Sequence, residues 1–257
     1  MTIEKVYVIP HGDEILDMPN TESVEMHDRV AQMTDADRSD IIVIISPHGL
    51  RLQNKVSIVG TQKCGGYYKT QKRKLRRMYN VDQQKAIDLA SATKEYSEIV
   101  SFITSSGPHS IFPMDFGTMI PLGFFKTKRT IPMGQPRPEN VEGLVEFGRL
   151  LKSWASNQKE NISIVISADQ AHTHSTDGPY GYSDTAKEYD ELVQKCIAHS
   201  DLKQLMSLKK DFLESAKPDS YWNMAILYGI LHAGDLRMKF VYYYVQVYFG
   251  MLAAVSV

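Results

Sequence analysis

The sequence predicts one α/β domain over residues 1–257, with a central mixed β-sheet flanked by helices. Four short apolar runs rich in β-branched residues, at positions 6–9, 41–46, 56–59 and 162–167, are typical of strands covered on both faces. Segments with apolar residues at helical spacing lie between these runs, and such alternation favours an α/β fold. No Pro-, Gly- or Ser-rich linker and no internal repeat divides the chain.

The helical periodicity assigns the intervening segments in order. We expect a helix capped by Thr21 and running past Val30, followed by helices over residues 82–103, 141–155, 186–199, 202–213 and 222–232. Segment 113–122 has no clear period and predicts a partly buried loop. Residues 242–249 and 251–257 predict a closing pair of strands, with Gly250 at or near the break.

The composition excludes several functional classes. The chain has 29 Lys and Arg against 30 Asp and Glu, so its net charge of -1 implies no general attraction to nucleic acid or anionic membranes. The basic run at 71–77 is expected to be a solvated surface. Cys64 and Cys196 form neither a disulfide framework nor a CxxC zinc motif. With no secretory signal or membrane-spanning apolar run, the expected location is cytoplasmic.

Two histidines follow buried strands in the same local pattern. The first strand ends in a PHG motif at His11, and the second ends in SPHG at His48. Ligands of α/β proteins bind outside the carboxyl ends of the strands, and neutral imidazole is a common ligand of divalent transition metals. A lone histidine after a strand is more often part of hydrogen-bonded structure, but the repeated pattern makes a shared metal site as good an interpretation as a structural role.

Further polar groups follow the strand at 162–167 and open a later helix. The segment SADQAHTH contains Asp169, His172 and His174. Three interpretations of these residues are open: they complete a metal shell, they act as acid and base, or they form a solvated turn. Asp219 lies in PDSYW, where it caps the helix or joins two histidines as a third ligand. Two histidines and one carboxylate favour Fe(II) with open positions, whereas zinc usually keeps a single open site.

Taken together, these segments resemble the class III, LigB-type extradiol dioxygenase superfamily, which also contains the Memo proteins. The resemblance rests on ordered motifs across residues 10–222, namely PHG, SPHG, DFGTMIPL from Asp115, SADQAHTH and PDSYW. It implies an α/β fold around a central sheet and a non-haem Fe(II) ion. It also implies cleavage of a catechol-type aromatic ring by O₂ beside its two hydroxyls.

The resemblance carries over to individual residues. It makes His11 and His48 metal ligands and His172 an acid–base group, with Asp219 in the region of the third ligand, which is usually a glutamate. The other members of these motifs, Asp115, Asp169 and His174, are further catalytic candidates. Small aromatic diols and O₂ would be the partners, in a homo-oligomer, and Met114, Phe116, Phe124 and Tyr180 are candidates to line the pocket.

Two departures from the family pattern keep other functions open. Many active members carry a histidine where this chain has Phe116, and His109 is a candidate to replace it. The third ligand is an aspartate, and no cysteine occupies the position used by Memo-like members. The alternatives are therefore a Memo-like metal-binding protein without dioxygenase activity, or an enzyme that uses Zn(II) or another divalent metal in the same pocket.

Overall fold

One eleven-stranded sheet runs through the computed structural model, which describes residues 3–101, 110–234 and 236–257. The strands are β1 (Lys5–Ile9), β2 (Ile41–Ser46), β3 (Val56–Val59), β4 (Lys63–Lys69), β5 (Lys74–Val81), β6 (Ser97–Val100), β7 (Ile111–Pro113), β8 (Arg129–Gly134), β9 (Ile162–Ser167), β10 (Met238–Gln246) and β11 (Phe249–Ser256). The helices are α1 (Glu14–Asp17), α2 (Thr21–Asp35), α3 (Gln83–Ala92), α4 (Phe116–Leu122), α5 (Glu142–Ser156), α6 (Asp184–His199), α7 (Lys203–Met206), α8 (Lys210–Ala216) and α9 (Tyr221–His232). The strand order is β10-β11-β1-β9-β2-β8-β5-β4-β7, with β3 joining β8 to β6. The mixed α/β fold that the sequence predicts is confirmed.

The four central strands, β1, β9, β2 and β8, are parallel. Their register pairs Ile9 with Ser167 and Ile45 with Ile166. The carboxyl ends of β1, β9 and β2 therefore lie side by side. This register brings together the polar segments that follow these three strands, as the positions of His11 and His48 predict.

Alternate side chains of the central strands enter two apolar cores. Val6 and Val8 pack on the side of α5, α6 and α9, whereas Tyr7 and Ile9 pack on the side of α1, α2 and α4. Both faces of the sheet are thus covered, which explains why the strands are continuous apolar runs rather than alternating ones.

Helices α5 and α9 lie against each other at two glycines. A Cβ on Gly148 would stand 2.1 Å from the main-chain oxygen of Ile226, and one on Gly229 would stand 1.9 Å from that of Val145. No larger residue fits at either position, so these glycines set how closely α9 approaches α5. This approach matters for the site because α9 begins two residues after Asp219.

Several predicted helix boundaries are wrong for local reasons. The N-cap of α2 is Asn20 rather than Thr21, because Asn20 Oδ1 accepts a 2.8 Å hydrogen bond from Ser23 N in a capping box. The helix predicted over 82–103 ends at Ala92, and its second half contains strand β6, which pairs with β3. Residues 102 and 103 lie outside the described residues. The helix predicted over 202–213 is divided into α7 and α8.

The closing strands are present as β10 and β11, but the predicted break is wrong. The turn lies at Val247 and Tyr248, and Val247 has a φ of 53°. Gly250 lies inside β11, where a Cβ would stand 1.9 Å from Asp190 Oδ2. The glycine is therefore needed for the close approach of a buried carboxylate and not for the turn.

Two regions form regular structure where the sequence shows no period. Most of the predicted loop at 113–122 is helix α4. Segments 63–69 and 74–81 form the β4–β5 hairpin, in which the exposed apolar side chains of Tyr67 and Met78 interrupt a regular apolar–polar alternation. Within the basic run, Lys74 and Arg76 are exposed, as predicted, while Leu75 is buried. No helix among the described residues is long and apolar enough to cross a membrane.

Candidate metal centre and cleft

Three side chains from distant parts of the chain meet at the carboxyl edge of the sheet. His11 Nε2 lies 3.2 Å from Asp219 Oδ2 and 3.1 Å from His48 Nε2. His48 Nε2 lies 3.1 Å from the same Asp219 oxygen. The three atoms form a nearly equilateral triangle, which we call the triad. His11 follows β1, His48 follows β2, and Asp219 precedes α9.

The triad fits a divalent cation. Metal–ligand bonds of about 2.1 Å at right angles separate neighbouring ligand atoms by about 3 Å, close to the spacing seen here. Among the described residues, these three make up the cluster of His, Cys, Asp and Glu side chains with metal-binding spacing. Two imidazoles and one carboxylate on one side of an ion are typical of non-haem Fe(II), although other divalent metals accept the same ligands.

Ser167 fixes the orientation and tautomer of His11. The Ser167 hydroxyl donates its proton to the main-chain oxygen of Gly117, at 2.6 Å. Its oxygen therefore accepts from His11 Nδ1, which lies 2.9 Å away. With the proton held on Nδ1, a neutral His11 directs the lone pair of Nε2 into the triad, the arrangement that metal-binding histidines require.

His48 is placed by contacts to its main chain and to its ring. Its main-chain N–H donates to Ser46 Oγ at 3.1 Å, and Ser46 Oγ donates to Asp115 Oδ1 at 2.6 Å. The Phe116 ring packs on the His48 ring with centroids 4.3 Å apart. Asp115, a catalytic candidate in the sequence, thus supports the loop at His48 and caps α4, and it is absent from the cleft lining.

Asp219 is held from three directions. Ser220 Oγ donates to its second carboxylate oxygen. Its main-chain oxygen accepts hydrogen bonds from Gln135 Nε2 at 2.8 Å and from Arg137 Nη2 at 3.3 Å. Ser220 occupies the N-cap position of α9, but its side chain makes no capping bond. These contacts leave Asp219 Oδ2 for the two histidines.

The charges around His11 favour a cation. Burial lowers the pKa of His11, but the negative charges of Asp169 and Asp219 outweigh this effect and raise the pKa to about 9. Burial acts to raise the pKa of Asp219, but His11 and the hydrogen bonds it receives hold that pKa well below its usual range. Asp169 also accepts from the His11 main-chain N–H at 3.0 Å, and burial raises its pKa. A bound metal would replace the proton that these carboxylates attract.

His172 lines the same cleft as His48 and Asp219. Its Nδ1 donates to the main-chain oxygen of Gln170 at 2.7 Å, so Nε2 is the proton-accepting nitrogen of the neutral ring. The ring is stacked on Phe249, with centroids 5.4 Å apart and planes 16° apart. His172 thus has a fixed tautomer and a restricted ring, which suits an acid–base group beside the triad.

The structure does not bring His174 into the cleft. His174 Nε2 lies 2.8 Å from the buried Asp190, whose Oδ2 also accepts from Tyr243 OH at 2.6 Å. This arrangement gives His174 a structural partner instead of a place beside the triad. His109, the candidate to replace the missing acid–base group, lies outside the described residues.

A cleft of about 1190 Å³ opens outward from the triad. Of the four side chains that the sequence suggests as its lining, Tyr180 lies in the wall. Met114 lines a separate small pocket, Phe124 packs on His27, and Phe116 packs on His48. The lining therefore comes from α5, α7, α8 and α9 together with the loop segments 137–141 and 217–219, and not from α4.

Three supporting residues were not singled out in the sequence: Ser167, Gln135 and Arg137. Ser167 stands at the end of β9 and pairs with Ile9, two residues before His11, so the parallel register points to it. Gln135 and Arg137 follow β8, another central strand ending at the same edge. A search for polar side chains just after each parallel strand would have found them.

The fold and the triad together define a class: α/β proteins with a candidate divalent-metal site of two histidines and one carboxylate at the carboxyl edge of a mixed sheet. Residues 5–255 match the family model of the catalytic LigB subunit of aromatic ring-opening dioxygenase. The chain belongs to this family, and the resemblance suggested by the motifs is confirmed.

Two known proteins are similar over nearly the whole chain. A protein of Clostridium acetobutylicum is 21% identical over 264 residues, which cover 95% of this chain and 55% of that protein. The chain thus spans about half the length of this relative. The crystal structure of an uncharacterized protein from Escherichia coli K12 superimposes with a TM-score of 0.67 at 13% identity, covering 98% of this chain and 99% of that one. This structural likeness supports the fold.

Proposed function

We propose that the protein is a non-haem Fe(II)-dependent extradiol dioxygenase, which cleaves a catechol-type aromatic ring with O₂. The observation that carries the proposal is the triad of His11, His48 and Asp219, two members of which line the same cleft as His172. Membership of the LigB family supports the same reaction class. The choice of Fe(II) follows from the ligand set, which leaves positions for both a diol and O₂.

Under this proposal, some residues of the site bind the metal ion and another transfers a proton. Bound Fe(II) would supply Lewis acidity towards the diol oxygens and electron transfer to O₂. His11, His48 and Asp219 would hold the ion, and Ser167 keeps His11 in the ligating tautomer. His172 Nε2 would accept a proton from a hydroxyl of the diol, since its Nδ1–H is committed to Gln170.

Aromatic rings pack on two of the histidines at the site. Phe116 packs on the His48 ring and is itself stacked on Tyr68, with centroids 5.3 Å apart. Phe249 supports the ring of His172. His48 itself stays exposed and lines the cleft.

One observation favours a second candidate function, a metal-binding protein that does not cleave rings. Phe116 packs directly on His48 and offers no proton-transfer group at the position where many dioxygenases of this kind have a histidine. Under this alternative the triad would bind a divalent metal, zinc included, and the cleft would serve recognition or a different reaction.

The experiment is O₂ uptake by protein purified without oxygen and loaded with Fe(II) or, separately, with Zn(II). A panel of catechols should consume O₂ and give coloured ring-fission products with Fe(II) and none with Zn(II). Metal binding without O₂ consumption by any catechol would reject the dioxygenase and leave the second candidate.

A His172→Phe variant tests the assigned proton acceptor. We expect turnover to fall by about 10²–10⁴-fold, the usual contribution of a general base, while the metal content stays unchanged. The matched control is His199→Phe, because His199 is exposed at the end of α6, outside the cleft lining. Loss of the metal from the His172 variant would instead make this residue a ligand.

A further inference from the structure

The cleft is larger than a single-ring diol needs. Its volume of about 1190 Å³ exceeds the range of about 300–1,000 Å³ that is usual for ligand pockets. His48 and Asp219 of the triad line the cleft, and so does Tyr228 on α9, the helix that begins two residues after Asp219. Tyr221 and Tyr228 are seven residues apart on α9, which corresponds to about 10 Å along the helix axis. Space therefore continues beyond a ring bound at the triad.

The lining of the cleft includes a set of apolar side chains. These are Val141, Val145, Met206, Leu208, Leu213 and Tyr228, which we call the outer groove. These side chains come from the start of α5, from α7 and α8, and from α9. Except for the Tyr228 hydroxyl, they offer a bound group no hydrogen bonds, so contact with apolar surface is the interaction available there.

Charged groups also line the cleft beside the outer groove. Glu139 pairs with Lys210 at 2.7 Å, and Glu146 pairs with Arg149. Glu142, Glu214 and Lys217 line the cleft as well. A bound group would therefore meet apolar side chains that have charged ones near them.

Trp222 is held rigidly among the residues of the cleft wall. Its Nε1–H donates to the main-chain oxygen of Pro138 at 2.9 Å, and the Arg137 guanidinium lies 4.9 Å from the indole centroid. A side chain fixed in this way loses little conformational freedom when a ligand packs against it. This part of the wall is therefore preorganised for ligand binding.

We propose that the outer groove binds an apolar substituent of the substrate, so that the preferred diol carries a second ring or an alkyl chain. The inference rests on the proposed function for the diol end and adds the substrate class. Its main support is continuity, because one cleft contains His48, His172 and Asp219 as well as the apolar walls. Ring and chain substituents share the same chemistry, burial of apolar surface without hydrogen bonds.

The test compares catechol with 4-methyl-, 4-ethyl-, 4-butyl- and 4-phenylcatechol. Dissociation constants are measured without oxygen on the metal-free and the Fe(II)-loaded protein, and kcat/KM is measured by O₂ uptake. We expect affinity to rise about fourfold for each buried methylene, in both forms of the protein. An affinity that does not change with the substituent would overturn the proposal.

A groove-filling variant, Leu213→Trp, locates the effect. It should abolish the gain from butyl and phenyl groups and leave the binding of unsubstituted catechol unchanged. Ile87→Trp is the matched control, because Ile87 is exposed on α3 outside the cleft. If Leu213→Trp does not fold, as judged by circular dichroism, Met206→Phe narrows the same groove. Equal gains in the wild-type protein and in the folded variant would refute the assignment.

The outcomes separate this inference from the proposed function. Substituent-dependent binding without O₂ consumption would preserve the substrate class and reject the ring-cleaving reaction. O₂ consumption with equal kcat/KM for all five diols would support the ring-cleaving reaction and reject the proposed substrate class. Self-association that Leu213→Trp abolishes, measured by sedimentation, would assign the groove to a second copy of the chain and overturn the inference.

Discussion

Replacement of Ser167 by alanine removes the group that sets the tautomer of His11. In the wild-type protein, His11 Nδ1 donates to Ser167 Oγ at 2.9 Å, and the histidine is 1% exposed. No solvent is available to replace the lost acceptor. An unsatisfied buried donor costs about 1–3 kcal/mol, so the free energy of unfolding should fall by that amount. The ring also becomes free to place its proton on Nε2, the atom that faces the metal.

The expected consequence for the metal is a 10–100-fold loss of affinity, the usual effect of removing a group that orients a ligand. The assay is competition with a chelator of known affinity, using Fe(II) without oxygen or Zn(II) in air. Ser163→Ala is the matched control, because Ser163 is equally buried on the same strand and bonds Asp37 instead. It should lose stability and keep its metal affinity. Unchanged affinity in Ser167→Ala, or an equal loss in both variants, would refute the reasoning.

Three further predictions concern the pH dependence, a structural histidine and a glycine. A metal must displace the proton from His11, whose pKa is raised to about 9. Metal affinity, measured by chelator competition at several pH values, should therefore rise with pH up to about 9 and then level off. A metal affinity that does not change from pH 6 to 9 would contradict this. His174→Ala should lower the free energy of unfolding by about 1–3 kcal/mol, because the buried Asp190 loses a partner, yet metal affinity should not change; loss of metal would place His174 at the triad. Gly117→Ala should weaken metal binding and lower thermal stability, because its Cβ would stand 2.6 Å from Ser46 Oγ, which supports His48; a variant with wild-type values for both would show that the loop has room.

The parts of the fold that the sequence predicts well are those governed by short-range pattern. The strands β2, β3 and β9 have the predicted limits because buried strands are nearly continuous apolar runs. The hairpin of β4 and β5 escapes prediction because the exposed apolar side chains of Tyr67 and Met78 interrupt the alternation and because these strands depend on pairing with distant ones. The helix predicted over 82–103 fails for the same reason, because β6 is stabilised by pairing with β3.

The residues of the candidate site likewise fall into those that a local pattern predicts and those that long-range contacts place. His11, His48 and His172 are predictable because each follows a strand at the edge where ligands of α/β proteins bind. His174 follows the same strand, but the fold places it against Asp190, a residue of α6 that no local pattern connects to it. Asp115 is likewise used for helix capping and for support of the His48 loop.

By itself the sequence determined the two strand-end histidines, the order of the family motifs and the single acidic candidate for the third ligand. Only the tertiary structure decided that these groups form a triangle with sides of 3.1–3.2 Å, because His11 and Asp219 are 208 residues apart. Their distance depends on the register of β1 beside β9 and on the close packing of α9 on α5. The tautomer of His11 and the apolar outer groove depend on the same long-range packing, which no local pattern of residues encodes.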